Sequence, residues 1–259
     1  MLRILAVLIM LFSAAQALAG DRKDKLIFVY YTVNNKKLVN QSLKENLLTL
    51  KKLKNFQVVA VEGNSRGIVY SGKTYGADSF FKVLSSAMSD CGKRNCWLIF
   101  AGDRVGTQER GFFYAGERVF TFTELSDFLS KEPKLFFLGF DQCSNGSPFI
   151  LRHFLFSAKY VAGSPYLEPN WGWQGIYENL DRIVKRKAEL PVLLLYYYAR
   201  YDLAMRRKMR QAYWETGVIC TGLNVLSGSG ISFSQMTCDN GEPCTESEDK
   251  SICTCGGNR

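Results

Sequence analysis

Histidine occurs once in 259 residues, as His153, and proline only six times. The first scarcity leaves no basis for a histidine-rich metal centre and offers a single imidazole to any acid–base chemistry. The second excludes a polyproline or collagen-like chain. Past the amino terminus no apolar run approaches the roughly 20 residues a membrane-spanning helix needs. The apolar stretch at 190–199 is short and rich in tyrosine. No segment repeats at a fixed period, so a solenoid or blade array is excluded.

What is present begins with an export signal. Arg3 precedes a short apolar core at residues 4–12, and Ala17-Leu18-Ala19 forms a small-residue cleavage site. Residues 1–19 therefore read as a signal peptide, and the protein is expected to be secreted or periplasmic, with no integral membrane segment after processing. Removing Arg3 takes the formal net charge from +9 to +8. Much of that charge lies between Arg182 and Arg210, a run that suits a solvated helix face or an anionic surface. Export argues against nucleic acid as the partner.

Eight cysteines in an exported chain point to disulfides. Cys91 and Cys96 flank a short turn, and Cys238, Cys244, Cys253 and Cys255 crowd a polar tail. That arrangement suits three bridges and leaves Cys143 and Cys220 over. The tail spacing, C-x5-C-x8-C-x-C, does not match paired zinc knuckles, so neither a metal nor a cofactor is expected.

Apolar runs at 25–33, 56–61, 96–100 and 135–140 read as strands buried on both faces. Helical patterns separate them. Leu43, Leu47, Leu50 and Leu53 recur at three- and four-residue steps within 36–54. Phe80, Phe81, Leu84 and Met88 do so within 77–90. Thr121 and Glu124 form a capping box opening a helix to residue 131. Residues 149–158 read as a helix, 160–163 as a short strand, 199–214 as a basic helix, and 218–233 as a hairpin. The alternation predicts an α/β fold, a mostly parallel sheet with helices on both faces. It divides the chain into a signal peptide (1–19), one α/β domain (20–236) and a cysteine-rich tail (237–259). Reactive loops belong beyond the carboxyl ends of the strands.

Two such loops stand out. One follows residues 96–100. The other carries Cys143, in Asp141-Gln142-Cys143-Ser144-Asn145-Gly146. A cysteine there is a thiolate nucleophile if a base or cation activates it, and otherwise a half-cystine or a small buried residue.

The stretch Gly139-Phe140-Asp141-Gln142-Cys143 precedes Val161-Ala162-Gly163-Ser164 with Glu168-Pro169 and Gly172-Trp173. Together these resemble the clostripain family of cysteine peptidases, with a caspase-like fold, over residues 25–180. The resemblance places Cys143 at the nucleophile position. It makes Asp141 the carboxylate that selects arginine or lysine, a sensible pairing for a guanidinium. Ser164, Glu168 and Trp173, with Trp171, would shape the substrate pocket, although tryptophans at such positions also serve as plain core packing.

The departure is in the other loop. The family keeps a His-Gly pair there, and this chain has Ala101-Gly102, 42 residues before Cys143. Nearby Arg104 is a cation that lowers a thiol's pKa but cannot shuttle a proton, and the unorthodox bases on offer are His153 or a water held by Asp103. His153, ten residues after Cys143, belongs to a different element. Gln142 also replaces a small residue beside the cysteine. These features imply a pseudopeptidase that binds a peptide or protein with basic side chains without cutting it. The competing expectations are an active endopeptidase with an unorthodox base and a non-enzymatic interaction protein.

Overall fold

The computed structural model describes residues 23–32, 37–102, 111–142, 145–165, 173–213, 223–228, 230–233, 244–246 and 253–255. The expected signal peptide lies outside these, as do Cys143, Glu168, Trp171, Asp103 and Arg104.

Strand β1 (Asp24–Tyr31) is buried along its whole length, as its unbroken apolar run requires. It pairs in parallel with β2 (Phe56–Asn64) on one side and β5 (Cys96–Ala101) on the other. Beyond β5 lie β8 (Leu135–Asp141) and β9 (Ala158–Gly163), both parallel. Antiparallel strands finish the two edges: β3 (Gly67–Tyr70) and β4 (Lys73–Tyr75) beside β2, and β10 (Asn224–Ser227) and β11 (Gly230–Phe233) beside β9. The nine-stranded order is β11-β10-β9-β8-β5-β1-β2-β3-β4.

Helix α1 (Lys37–Lys51) follows β1 and buries Leu43 and Leu50 on one face of the sheet. The chain then reverses direction across β1. Helix α2 (Phe80–Met88) accordingly lies on the other face, with Phe80, Val83 and Leu84 buried. That change of face is what right-handed crossovers demand when a sheet is wound from its middle outwards. The reversal puts the topological switch point between β1 and β5, where open α/β sheets bind ligands.

Helix α3 (Phe122–Leu129) starts on the expected capping box. The Thr121 hydroxyl accepts from the Glu124 amide, and the Glu124 carboxylate accepts from the Thr121 amide at 2.8 Å. Between β5 and α3 runs a hairpin the sequence did not announce, β6 (Gly111–Ala115) with β7 (Arg118–Thr121). Its Phe113 and Phe120 stack on Phe80 with ring centroids 4.4 and 4.6 Å apart, closing that face.

The helix expected over 149–158 is only five residues, α4 (Pro148–Arg152). A turn follows, and Ala158 already belongs to β9. The helix gives way because the chain must turn here to pair with β8: the Ser157 carbonyl accepts from the Leu135 amide at 2.8 Å. Helices α5 (Gln174–Tyr177) and α6 (Leu180–Ile183) return to the α1 face. They lead through a 3-10 segment, Val184–Glu189, into α7 (Leu190–Tyr213). The last helix therefore begins nine residues before the expected position. Pro191, which reads as a breaker, sits in its first turn, where its missing N–H costs nothing. In the tail, β12 (Cys244–Glu246) pairs with β13 (Cys253–Cys255). No helix among the described residues is long and apolar enough to cross a membrane.

Cys91 and Cys96 form a disulfide that ties the end of α2 to the start of β5. The Asp90 carboxylate beside it accepts from Lys25 at 2.6 Å and pairs with Arg94 at 2.8 Å. The Lys25 hydrogen bond holds Asp90 below the usual carboxylate range. Because the bridged loop is short, Cys91→Ser/Cys96→Ser is expected to cost about 2 kcal/mol, read from urea unfolding without reductant.

Candidate active site

Register, rather than sequence proximity, assembles the site. Along the carboxyl edge Glu62 pairs with Tyr30, Tyr30 with Ala101, and Ala101 with Asp141. In-register residues of parallel strands project to the same face, so these four side chains form one row at the switch point. At about 4.8 Å per strand the two carboxylates stand roughly 14 Å apart.

Ala101 is 1% exposed and packs in the cluster that holds Tyr30, Trp173 and Tyr177. Gly102 has φ of +148° and donates its amide to the Asp141 carbonyl at 3.2 Å. A Cβ there would overlap the ring of Tyr31, so only glycine fits. Ala101 is thus packed among aromatic rings.

Asp141 is 8% exposed, and the Tyr177 hydroxyl donates to its Oδ2 at 2.6 Å. At the other end of the row, the Tyr30 hydroxyl donates to Glu62 at 2.9 Å. Burial, reinforced by the Glu62 charge, pushes the Tyr30 phenol well above its ordinary value, so it remains protonated and acts as a donor. Glu62, Tyr30 and Tyr177 escaped the sequence reading. The bonds that recruit them span 32 and 36 residues, and no local pattern marks such partners.

Cys143 and Ser144 lie outside the described residues, and Gln142, Asn145 and Gly146 flank them. Gln142, 1% exposed, donates from Nε2 to the Phe112 carbonyl at 2.6 Å and accepts from Asn145 at 2.9 Å. Gln142 thus ties the end of β8 to the β6–β7 hairpin. Gly146 donates to the Ser164 carbonyl at 2.6 Å, and its own carbonyl accepts from Asn224 at 2.9 Å. Gly146 and Gly163 meet backbone to backbone, leaving no room for a Cβ on Gly146.

Ser164 and Trp173 are both fully buried. Trp173 packs against Phe137 and Tyr177 at centroid distances of 6.1 and 6.4 Å, and it lies over Gly139. Glu168 lies outside the described residues. His153 is exposed at the end of α4, edge-on to Phe149, and its carbonyl accepts from Ser126 of α3. It stands on the sheet face opposite Ala101. One described group has metal-ligand chemistry, Asp90 with Cys91 and Cys96, but both of its sulfurs are in the disulfide.

A profile described as the clostripain family matches residues 27–216. No curated protein matches the sequence. Among solved structures, an inactive zymogen C11 protease from Parabacteroides distasonis superposes with a TM-score of 0.54 at 15% identity, over 79% of this chain and 62% of that one. This chain thus spans less than two thirds of that zymogen. A secreted C11 cysteine protease from Bacteroides thetaiotaomicron, in complex with an irreversible peptide inhibitor, gives a TM-score of 0.56 at 15% identity, over 80% and 67% of the two chains. These likenesses establish the caspase-like α/β fold.

Proposed function

This chain belongs to the clostripain family, and from that premise we propose that it is an exported pseudopeptidase that engages basic side chains without cutting the peptide. In this reading Cys143 keeps the nucleophile position, and Ala101-Gly102 occupy the place of the catalytic His-Gly pair. Asp141 meets an arginine or lysine of the bound peptide. Ser164, Glu168 and Trp173 build the wall behind it.

The observation that carries the reading is Ala101 itself, a buried methyl in the row beside Asp141 where proton transfer would have to originate. General acid–base help contributes about 10² to 10⁴ in rate. The other groups of the row do not supply it. The Tyr30 phenol is too weak an acid, Glu62 stands roughly 14 Å from Asp141 and is bonded to Tyr30, and Asp141 accepts a hydrogen bond from Tyr177. Asp141 carries the recognition half of the argument. Tyr177 holds it in one orientation, and a preoriented carboxylate suits a cationic side chain better than a freely rotating one.

The test is incubation with arginine- and lysine-containing peptides, followed by mass spectrometry. Intact peptides are expected. Cleavage after basic residues that disappears in Cys143→Ser would overturn the reading.

A further inference from the structure

The amino edge of the sheet, opposite the candidate site, collects a second feature. Each crossover of a parallel sheet must return to that edge, and here nearly every return carries cations. Lys54 precedes β2, Lys93 precedes β5, Lys134 precedes β8, Lys159 lies at the start of β9, and Lys185 lies in the 3-10 segment. All five are exposed, and none forms a salt bridge among the described residues.

Three acids of this edge are engaged inside the fold, whereas Glu132, two residues before Lys134, offsets part of the lysine charge. Asp24 is 6% exposed and bonded to Lys187 and the Trp97 indole. Asp90 is held by Lys25 and Arg94, and Asp181 accepts the amides of Lys54 and Asn55 at 2.8 and 2.9 Å. Their charge is spent inside the fold, while the lysines face solvent. Compensation of helix dipoles explains cations just after α1 and α3. Lys159 lies over the Phe136 and Tyr160 rings at 5.6 and 5.3 Å, and neither effect explains Lys134 or Lys185.

Among these lysines stands Phe156, 91% exposed. The carbonyl of the next residue, Ser157, accepts from the Leu135 amide at 2.8 Å, which brings the backbone at Phe156 close to that at Lys134. An aromatic ring held in water inside a spread of cations matches one kind of surface, a phosphate layer with hydrocarbon beneath it. A polyanion such as nucleic acid would use the cations and leave the ring idle.

We propose that the amino edge is a docking face for an anionic phospholipid bilayer, with Phe156 entering the headgroup layer and Lys93, Lys134, Lys159 and Lys185 meeting the phosphates. The row of Glu62, Tyr30, Ala101 and Asp141 then points away from the membrane. This inference is independent of whether the site cuts, binds or does neither.

Co-sedimentation of the full chain with vesicles tests it. Vesicles of equal parts phosphatidylcholine and phosphatidylglycerol are expected to take up the protein at low salt, and to release it as salt rises. Pure phosphatidylcholine vesicles are expected to leave it in solution. At about fivefold to tenfold per lysine, Lys93→Gln/Lys134→Gln/Lys159→Gln should weaken binding by about 100-fold or more. Phe156→Ser should weaken it by about tenfold with no change of charge. Every arm uses the full processed chain from Gly20 onward, so the apolar run at 4–12 plays no part. Equal uptake by both vesicle types, or unchanged uptake by the triple variant, overturns the proposal. So does a Phe156→Ser variant that binds as wild type does while duplex DNA competes fully, because the face would then be a general polyanion binder.

Discussion

Ala101→His is expected to turn a protein that leaves basic peptides intact into one that cleaves them, with a gain of about 10² to 10⁴ over wild type. The reasoning is positional. Residue 101 is in register with Asp141, and Cys143 follows Asp141 by two residues. An imidazole at this point has the thiol's loop on one side and the protonated phenol of Tyr30 on the other. It would take the thiol proton and return it to the leaving amine. A cost accompanies the gain. Ala101 is 1% exposed, and forcing a ring among Tyr30, Trp173 and Tyr177 should destabilise the fold by about 1 to 3 kcal/mol. A fluorogenic arginine substrate reads the rate, and Ala101→His/Cys143→Ser is the control that must be silent. The rate should rise as pH climbs through about 6.5, the ordinary histidine value, because the base works unprotonated. A folded Ala101→His protein with no activity above wild type would overturn the proposal that Ala101 is what prevents cleavage.

Trp173→Ala is expected to be the most damaging truncation near the site, at about 3 to 5 kcal/mol in urea unfolding. The indole is wholly buried, bears on Phe137 and Tyr177, and fills the space above Gly139. A methyl added at Gly139 would come within 2.6 Å of the indole, so the packing there has no slack. Its removal also withdraws support from Tyr177, the donor to Asp141, so affinity for basic peptides should fall together with stability. A loss below about 1 kcal/mol would mean that the surroundings collapse into the void unaided, contrary to the packing described.

The strands of the parallel core were legible because burial on both faces leaves an unbroken apolar run, and β1 is the clearest instance. The α3 start was legible because Thr121 and Glu124 act within one turn. The β6–β7 hairpin was not, since its stability comes from Phe113 and Phe120 meeting Phe80, which lies more than 30 residues away. The length of α4 was misjudged because Leu151, Phe154 and Ala158 follow helical spacing while Phe156 is turned to solvent. At the site, sequence marked Ala101 and Asp141 separately. Their adjacency, and the roles of Tyr177 and Gln142, arise from strand register and long-range bonds that no window of sequence contains.

The contact between Gly146 and Gly163 has a consequence for anyone who wishes to re-engineer this protein. Main chain touches main chain there, so the junction offers no side chain to exchange, lengthen or soften. It works as a fixed rivet on one flank of the cysteine's loop. Libraries confined to residues 143 and 144 keep this frame, whereas those that reach Gly146, Gln142 or Asn145 lose part of it.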